Sequence, residues 1–157
     1  MNVAHRCRGF TLLELMVVIV LIAVLLGMVG LVGGQSPARQ ARQHAQQFIL
    51  LAQQLREQAM LQGQEHGLRL LDHGYQALRL DAQGWTTVSV FHRLPENLRL
   101  ALEQEGHAVR LDDAQGPPQL LMLSSDEISP FRLIFKVAGQ PFAQVLSDGI
   151  GEPLLDE

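Results

Sequence analysis

Apolar and polar positions divide the chain into three stretches of different period. From Leu15 to Gly34 no side chain is charged or polar. Counted from Phe10 to Val32 the apolar run has 23 residues, roughly 34 Å of helix at 1.5 Å per residue. That length crosses a hydrocarbon core of about 30 Å with some tilt, so residues 10–33 are expected to form a transmembrane helix. In the second stretch Ala41, Ala45, Phe48, Ala52, Leu55 and Ala59 recur at steps of four and three, the period of one helix face. Ser36 and Pro37 read as an N-cap and a first helical position, and Gly63 as a stop. The pattern predicts an amphipathic helix over 37–62, its apolar face on the protein's own sheet. Gly27, Gly30, Gly33 and Gly34 weaken the end of the first helix, and a bend or break is expected around Gly33–Ser36.

From Gly67 onward the period is two. Leu68–Leu70 and Tyr75–Leu80 flank Asp72-His73-Gly74, a hairpin signal. Thr86–Phe91 alternates, as do Leu98–Leu102 and Phe131–Val137, and Leu120–Leu123 and Phe142–Leu146 read as further strands. Gly106, Gln115-Gly116-Pro117-Pro118 and Asp148-Gly149 punctuate them, with the Gly-Pro-Pro stretch expected to be a mobile loop. Residues 64–157 thus predict a β-rich head of about seven or eight short antiparallel strands. Its 94 residues and the helix laid on it make a core able to fold without staples. The class is α+β.

A cleaved secretory signal fits the first stretch poorly, because the run exceeds the usual 7–15 residues and Gln35-Ser36-Pro37-Ala38 offers no small-residue cleavage site. A lipoprotein signal fails on order, since the single cysteine, Cys7, precedes the run. Arg6 and Arg8 lie just before it and favour a cytoplasmic N-terminus, although Arg39 and Arg42 beyond it reduce the asymmetry. The segment is expected to stay with the protein, leaving a single-pass arrangement with the head outside the cytoplasm.

Composition narrows the chemistry. Twelve Lys and Arg stand against sixteen Asp and Glu, a net charge of −4, which gives no electrostatic footprint for nucleic acid. The six histidines, His5, His44, His66, His73, His92 and His107, lack metal-ligand spacing and read as surface residues. There is no phosphate loop, nucleophile elbow or dinucleotide fingerprint. Asp148, Glu152, Asp156 and Glu157 make an acidic tail without the spacing of an EF-hand loop. No catalytic residue, metal or cofactor is expected.

One junction is specific. A short basic leader, residues 1–9, ends in Gly9; Phe10 opens the apolar run, and Glu14 follows four positions later. A carboxylate in the apolar phase costs about 2.5–3.5 kcal/mol, so Glu14 either reaches the headgroups or has a partner. The string Gly9-Phe10-Thr11-Leu12-Leu13-Glu14-Leu15 resembles the processing site of type IV pilins and type II secretion pseudopilins. The resemblance implies cleavage after Gly9 by a prepilin peptidase and N-methylation of Phe10. It also implies charge pairing of Glu14 with the terminal amine of a neighbouring subunit during assembly, and a type IV pilin-like fold.

The remaining chain is similar to the H-type minor pseudopilins, the GspH family. His66–Leu70 and Gly74–Asp81 look like that family's first hairpin, and Pro118–Leu133 like its late strand–turn–strand, with Asp126 where the family often has glycine. Membership implies a structural subunit near the tip of a periplasmic pseudopilus that drives export of folded exoproteins across the outer membrane. The implied partners are other minor pseudopilins, the major pseudopilin, the inner-membrane assembly platform and the prepilin peptidase, with no nucleic acid among them. The alternative is a minor pilin of a type IV pilus, some of which bind DNA in uptake. Removing Arg6 and Arg8 with the leader leaves ten basic against sixteen acidic residues, or −6, which disfavours it.

Overall fold

The computed structural model of the 157-residue chain describes residues 12–29 and 36–156. The chain divides into two compact units, Met1–Ser36 and Pro37–Glu157. In the first, helix α1 spans Leu12–Val29. Its side chains from Leu12 to Val24 are exposed and, apart from Glu14, apolar on every face. Among the described residues no helix is long and apolar enough to cross a membrane. Eighteen residues rise only about 27 Å, and the run read from the sequence extends past both ends of α1. The bend expected around Gly33–Ser36 lies largely outside the described residues.

The second unit opens with α2, Pro37–Gln62, which buries Ala41, Ala45, Phe48, Ala52, Leu55 and Ala59. Four alanines in that stripe let the backbone of α2 approach closely, and Gly63, at φ +61, ends the helix in the left-handed conformation common there.

Ten strands follow among the described residues: β1 His66–Leu71, β2 Gly74–Asp81, β3 Gly84–Thr87, β4 His92–Arg93, β5 Leu98–Gln104, β6 His107–Val109, β7 Leu120–Met122, β8 Phe131–Val137, β9 Gln140–Ser147 and β10 Leu154–Asp156. They form two antiparallel sheets. The first runs β3-β2-β1-β7, with β4 also paired to β2, and the second runs β10-β9-β8-β5-β6. Helix α2 packs on β1 and β7 of the first sheet and on β8, β9 and β10 of the second. One core results, with Phe48 at its centre: its ring meets Tyr75 edge-on at 5.2 Å, Phe131 at 6.1 Å and Phe135 at 6.3 Å. Alternation explains the strands well in β5 and β8. Leu98, Leu100 and Leu102 face inward opposite Val137, Phe135 and Leu133, while Arg99, Lys136 and Arg132 face out.

The structure differs from the sequence expectation in two places. The strand expected over Thr86–Phe91 is instead β3, and the chain leaves the ladder after Thr87. The Ser89 hydroxyl oxygen accepts the Ala77 N–H at 2.9 Å, replacing a carbonyl, and the bulge carries Val90 out to 91% exposure. The Gln115–Pro118 stretch, expected to be mobile, is tied to β1: Arg69 donates to the carbonyls of Gly116 at 2.6 Å and Ala114 at 3.1 Å. Gln119 Oε1 accepts the Leu70 N–H at 2.8 Å, and Pro118 lies so close to Gly67 that a Cβ there would sit 2.5 Å from its ring. The tight hairpin between β8 and β9 turns on Ala138 and Gly139, both at positive φ, as two-residue hairpins demand; alanine does not advertise such a turn.

Candidate functional site

The sequence placed the functional residues at the N-terminal junction. Gly9 and Phe10 lie outside the described residues. Glu14 stands in the first turn of α1, exposed between Leu13 and Leu15. A carboxylate there favours the helix, since the unpaired N–H groups of the first turn carry partial positive charge, an effect of about 0.3–1 kcal/mol. It is the single acidic group of an otherwise apolar element.

On the head the most connected polar group is Arg56 of α2. Its side chain is only 12% exposed. The guanidinium donates from Nε to Asp126 Oδ1 at 2.7 Å, from Nη2 to the Asp126 and Ile150 carbonyls at 2.7 and 2.8 Å, and from Nη1 to the Gly151 carbonyl at 3.1 Å. One side chain thus ties the helix to the turn before β8 and to the loop before β10. Beside it Gln53 Nε2 donates to Glu152 Oε2 at 3.2 Å. Asp148 Oδ1 accepts the backbone N–H groups of Ile150 and Gly151 at 3.0 and 2.8 Å, and these bonds hold its carboxyl below the usual range. Asp126 itself sits at φ +72, a conformation aspartate tolerates better than most residues.

Sequence reasoning overlooked Arg56 because α2 is rich in glutamine and its arginines, Arg39, Arg42 and Arg56, read alike as a solvated face. The signal was its register: Arg56 is four residues after Ala52 and three before Ala59, so it borders the buried stripe.

The histidines are not all surface residues. His66 is buried, with Nδ1 at 3.1 Å from the Gln64 carbonyl. His44 is half-buried, and its Nδ1 has no hydrogen-bond partner among the described residues. Its ring centroid lies 6.3 Å from that of His92, which stacks on Tyr75 at 4.7 Å. Burial first, and then the neighbouring His92, hold the His44 imidazole below its ordinary value. Burial pushes the Tyr75 hydroxyl up to about 12. The pair does not amount to a metal centre: among the described residues no three His, Cys, Asp or Glu side chains are grouped to hold an ion.

Comparison with known proteins bears on both halves. The prokaryotic N-terminal methylation motif matches residues 4–30, a span that includes Gly9, Phe10 and Glu14. The type II secretion system protein H of Pseudomonas aeruginosa is 40% identical over 165 aligned positions, covering 95% of each chain. The protein of the same name from Aeromonas hydrophila is 32% identical, covering 82% of this chain and 80% of that one. Among solved structures, the minor pseudopilin EpsH from the type 2 secretion system of Vibrio cholerae matches with a TM-score of 0.65 at 29% identity, covering 74% of this chain and 94% of the other. The glycine-phenylalanine junction, the long apolar helix and the head built on Phe48 are therefore parts of one design, and the chain belongs to the H-type minor pseudopilins of type II secretion systems.

Proposed function

We propose that the chain is made as a precursor, cut after Gly9 by a prepilin peptidase and methylated on the new amine of Phe10. Residues 10–33 hold it in the bacterial inner membrane as a single span, with the N-terminus cytoplasmic and the head, residues 64–157 with the helix 37–62 laid on it, periplasmic. It is then drawn into the tip region of the pseudopilus, which pushes folded exoproteins through the outer membrane. Its contacts there are other minor pseudopilins, the major pseudopilin and the assembly platform, and its role is structural rather than catalytic.

The observation that carries this reading is the junction Gly9-Phe10 with Glu14 in register, inside the matched methylation motif, on a chain whose head has the EpsH fold. Glu14 supplies the assembly chemistry. Cleavage creates a cation at the start of the span, and a neighbour's Phe10 amine is then the counter-charge for Glu14 as helices stagger into a filament. A carboxylate in the apolar phase costs a few kcal/mol without one.

Intact mass and N-terminal sequencing of the membrane-extracted protein test the reading. The expected mature chain starts at Phe10, is one methyl heavier than its sequence and has lost Cys7. Gly9→Val leaves the leader attached. A native chain that keeps residues 1–9 in cells containing the peptidase overturns it.

A further inference from the structure

The face of the head that carries Arg56 holds a groove with no occupant in the fold. It lies between the last turns of α2 and the loop before β10, encloses about 620 Å³, and is lined by Gln53, Arg56, Glu57, Met60, Ile150 and Glu152, among others. We propose that this groove docks a basic segment of a neighbouring pseudopilin, one that offers a lysine or arginine beside an apolar side chain; the inference rests on the reading of the chain as a pseudopilus subunit.

Two features point to that chemistry. The first is Ile150, which is 79% exposed on a backbone that is fixed from both sides. Its N–H is bound by Asp148 Oδ1 and its carbonyl by Arg56. An apolar side chain presented on a preorganised backbone loses little freedom when it is covered, which is the condition for an anchor in an interface. Met60, 42% exposed on the facing helix turn, lines the same groove and gives the anchor an adaptable apolar neighbour.

The second is charge. One cation, Arg56, meets three carboxylates, Glu57, Asp126 and Glu152, along the groove. Arg56 is occupied by its four acceptors, and Asp126 by Arg56. Glu57 is exposed, and Glu152 accepts from the neutral Gln53 amide, so neither carboxylate is paired with Arg56 and both face an incoming group. A second copy docking through this same face would set the carboxylates against their own kind, so the fit is to a segment of opposite charge, which also steers the encounter.

The test uses the full-length chain in cells with an assembled secretion apparatus. A photo-crosslinking amino acid replaces Ile150, and in a separate strain Val90, which is exposed in the bulge after β3. Position 150 is expected to cross-link to one pseudopilin of the system and position 90 not to that subunit. Adding Glu57→Lys should lower the yield at 150 about tenfold, the effect of losing one close charge pair, while the amount of chain in the membrane is unchanged. Replacing the cross-linked subunit's basic residue with glutamate should restore it. A cross-link from 150 to a second copy of this chain, no cross-link to a pseudopilin, or a yield indifferent to Glu57→Lys overturns the proposal. Deleting the chain separates the two levels. Continued secretion overturns the pseudopilin reading itself, whereas lost secretion with a silent position 150 overturns the groove alone.

Discussion

Arg56 and Asp126, seventy residues apart, are joined twice, through the carboxylate at 2.7 Å and through the Asp126 carbonyl at 2.7 Å. The two partners do not contribute equally. The Arg56 side chain is nearly enclosed whereas that of Asp126 is 53% exposed, and three of the guanidinium's acceptors are backbone carbonyls that no side-chain change at 126 removes.

Arg56→Ala should therefore cost about 1–2 kcal/mol, because it removes the donor shared by the carbonyls of Asp126, Ile150 and Gly151 and the packing of a side chain only 12% exposed, while water can replace part of the lost bonding at these exposed residues. Asp126→Gly should be close to neutral. It loses a half-exposed ion pair of about 0.5–1 kcal/mol but relieves a left-handed backbone of about 1–2 kcal/mol. Urea unfolding of the two variants checks the contrast, and equal losses would mean that the carboxylate, not the carbonyl cluster, is what Arg56 serves.

Phe48→Ala should destabilise the head by about 3–5 kcal/mol, enough to leave it partly unfolded at ordinary stability margins. The ring alone meets Tyr75 of the first sheet and Phe131 and Phe135 of the second, so its removal uncouples both sheets from α2 together. Loss of near-ultraviolet circular dichroism with helix and strand signal retained is the expected signature.

Acid should weaken the head through His44. Its folded pKa is held below the ordinary value, so the unfolded chain takes up the proton first. The stabilisation is full above about pH 6.5 and is lost as pH falls through the lowered folded value. Tyr75 acts at the other end: with its hydroxyl pushed up to about 12, stability is lost as pH rises from about 10 toward that value. Thermal denaturation across both ranges checks this. His44→Gln should flatten the acid limb only, and Tyr75→Phe the alkaline limb only.

Glu14→Gln keeps the shape of the side chain and removes its charge. Membrane insertion should be at least as efficient, because no carboxylate enters the apolar phase, and cleavage after Gly9 should persist. If Glu14 pairs as proposed, incorporation into the pseudopilus and secretion should fall, because a neighbour's Phe10 amine loses its counter-charge. Cross-linking to partner subunits in wild type and variant measures this; unchanged cross-linking with full secretion would make Glu14 an interfacial residue and no more.

The α+β architecture was legible in the sequence because period and burial coincide. The stripe from Ala41 to Ala59 and the alternations in Leu98–Leu102 and Phe131–Val137 are the positions the structure buries. What escaped are β4, β6 and β10, of two or three residues each, too short for alternation to register. Leu154–Asp156 reads as part of an acidic tail, yet it pairs with Gln144–Leu146. Side-chain substitutions for backbone groups escaped as well: the Ser89 hydroxyl that ends β3, and the Arg69 and Arg56 donors that pin distant loops, depend on partners 12 to 95 residues away. For the candidate site the balance reverses. The Gly9-Phe10-Glu14 string is local and lies within the matched methylation motif, residues 4–30, whereas the groove beside Ile150 exists only once the two ends of the head have met.

The placement of α2 against β9 sets an order of events in folding. The helix is complete by Gln62, but part of its cover, Ala143 and Val145 of β9, arrives some eighty residues later. Contacts so far apart in sequence close slowly, and until they do the stripe around Phe48 is open to any apolar surface nearby. A chain emerging N-terminus first therefore carries a sticky, half-covered helix through most of its synthesis. Truncation before Gln140 would prolong that interval indefinitely, turning a subunit into a substrate for chaperones and proteases.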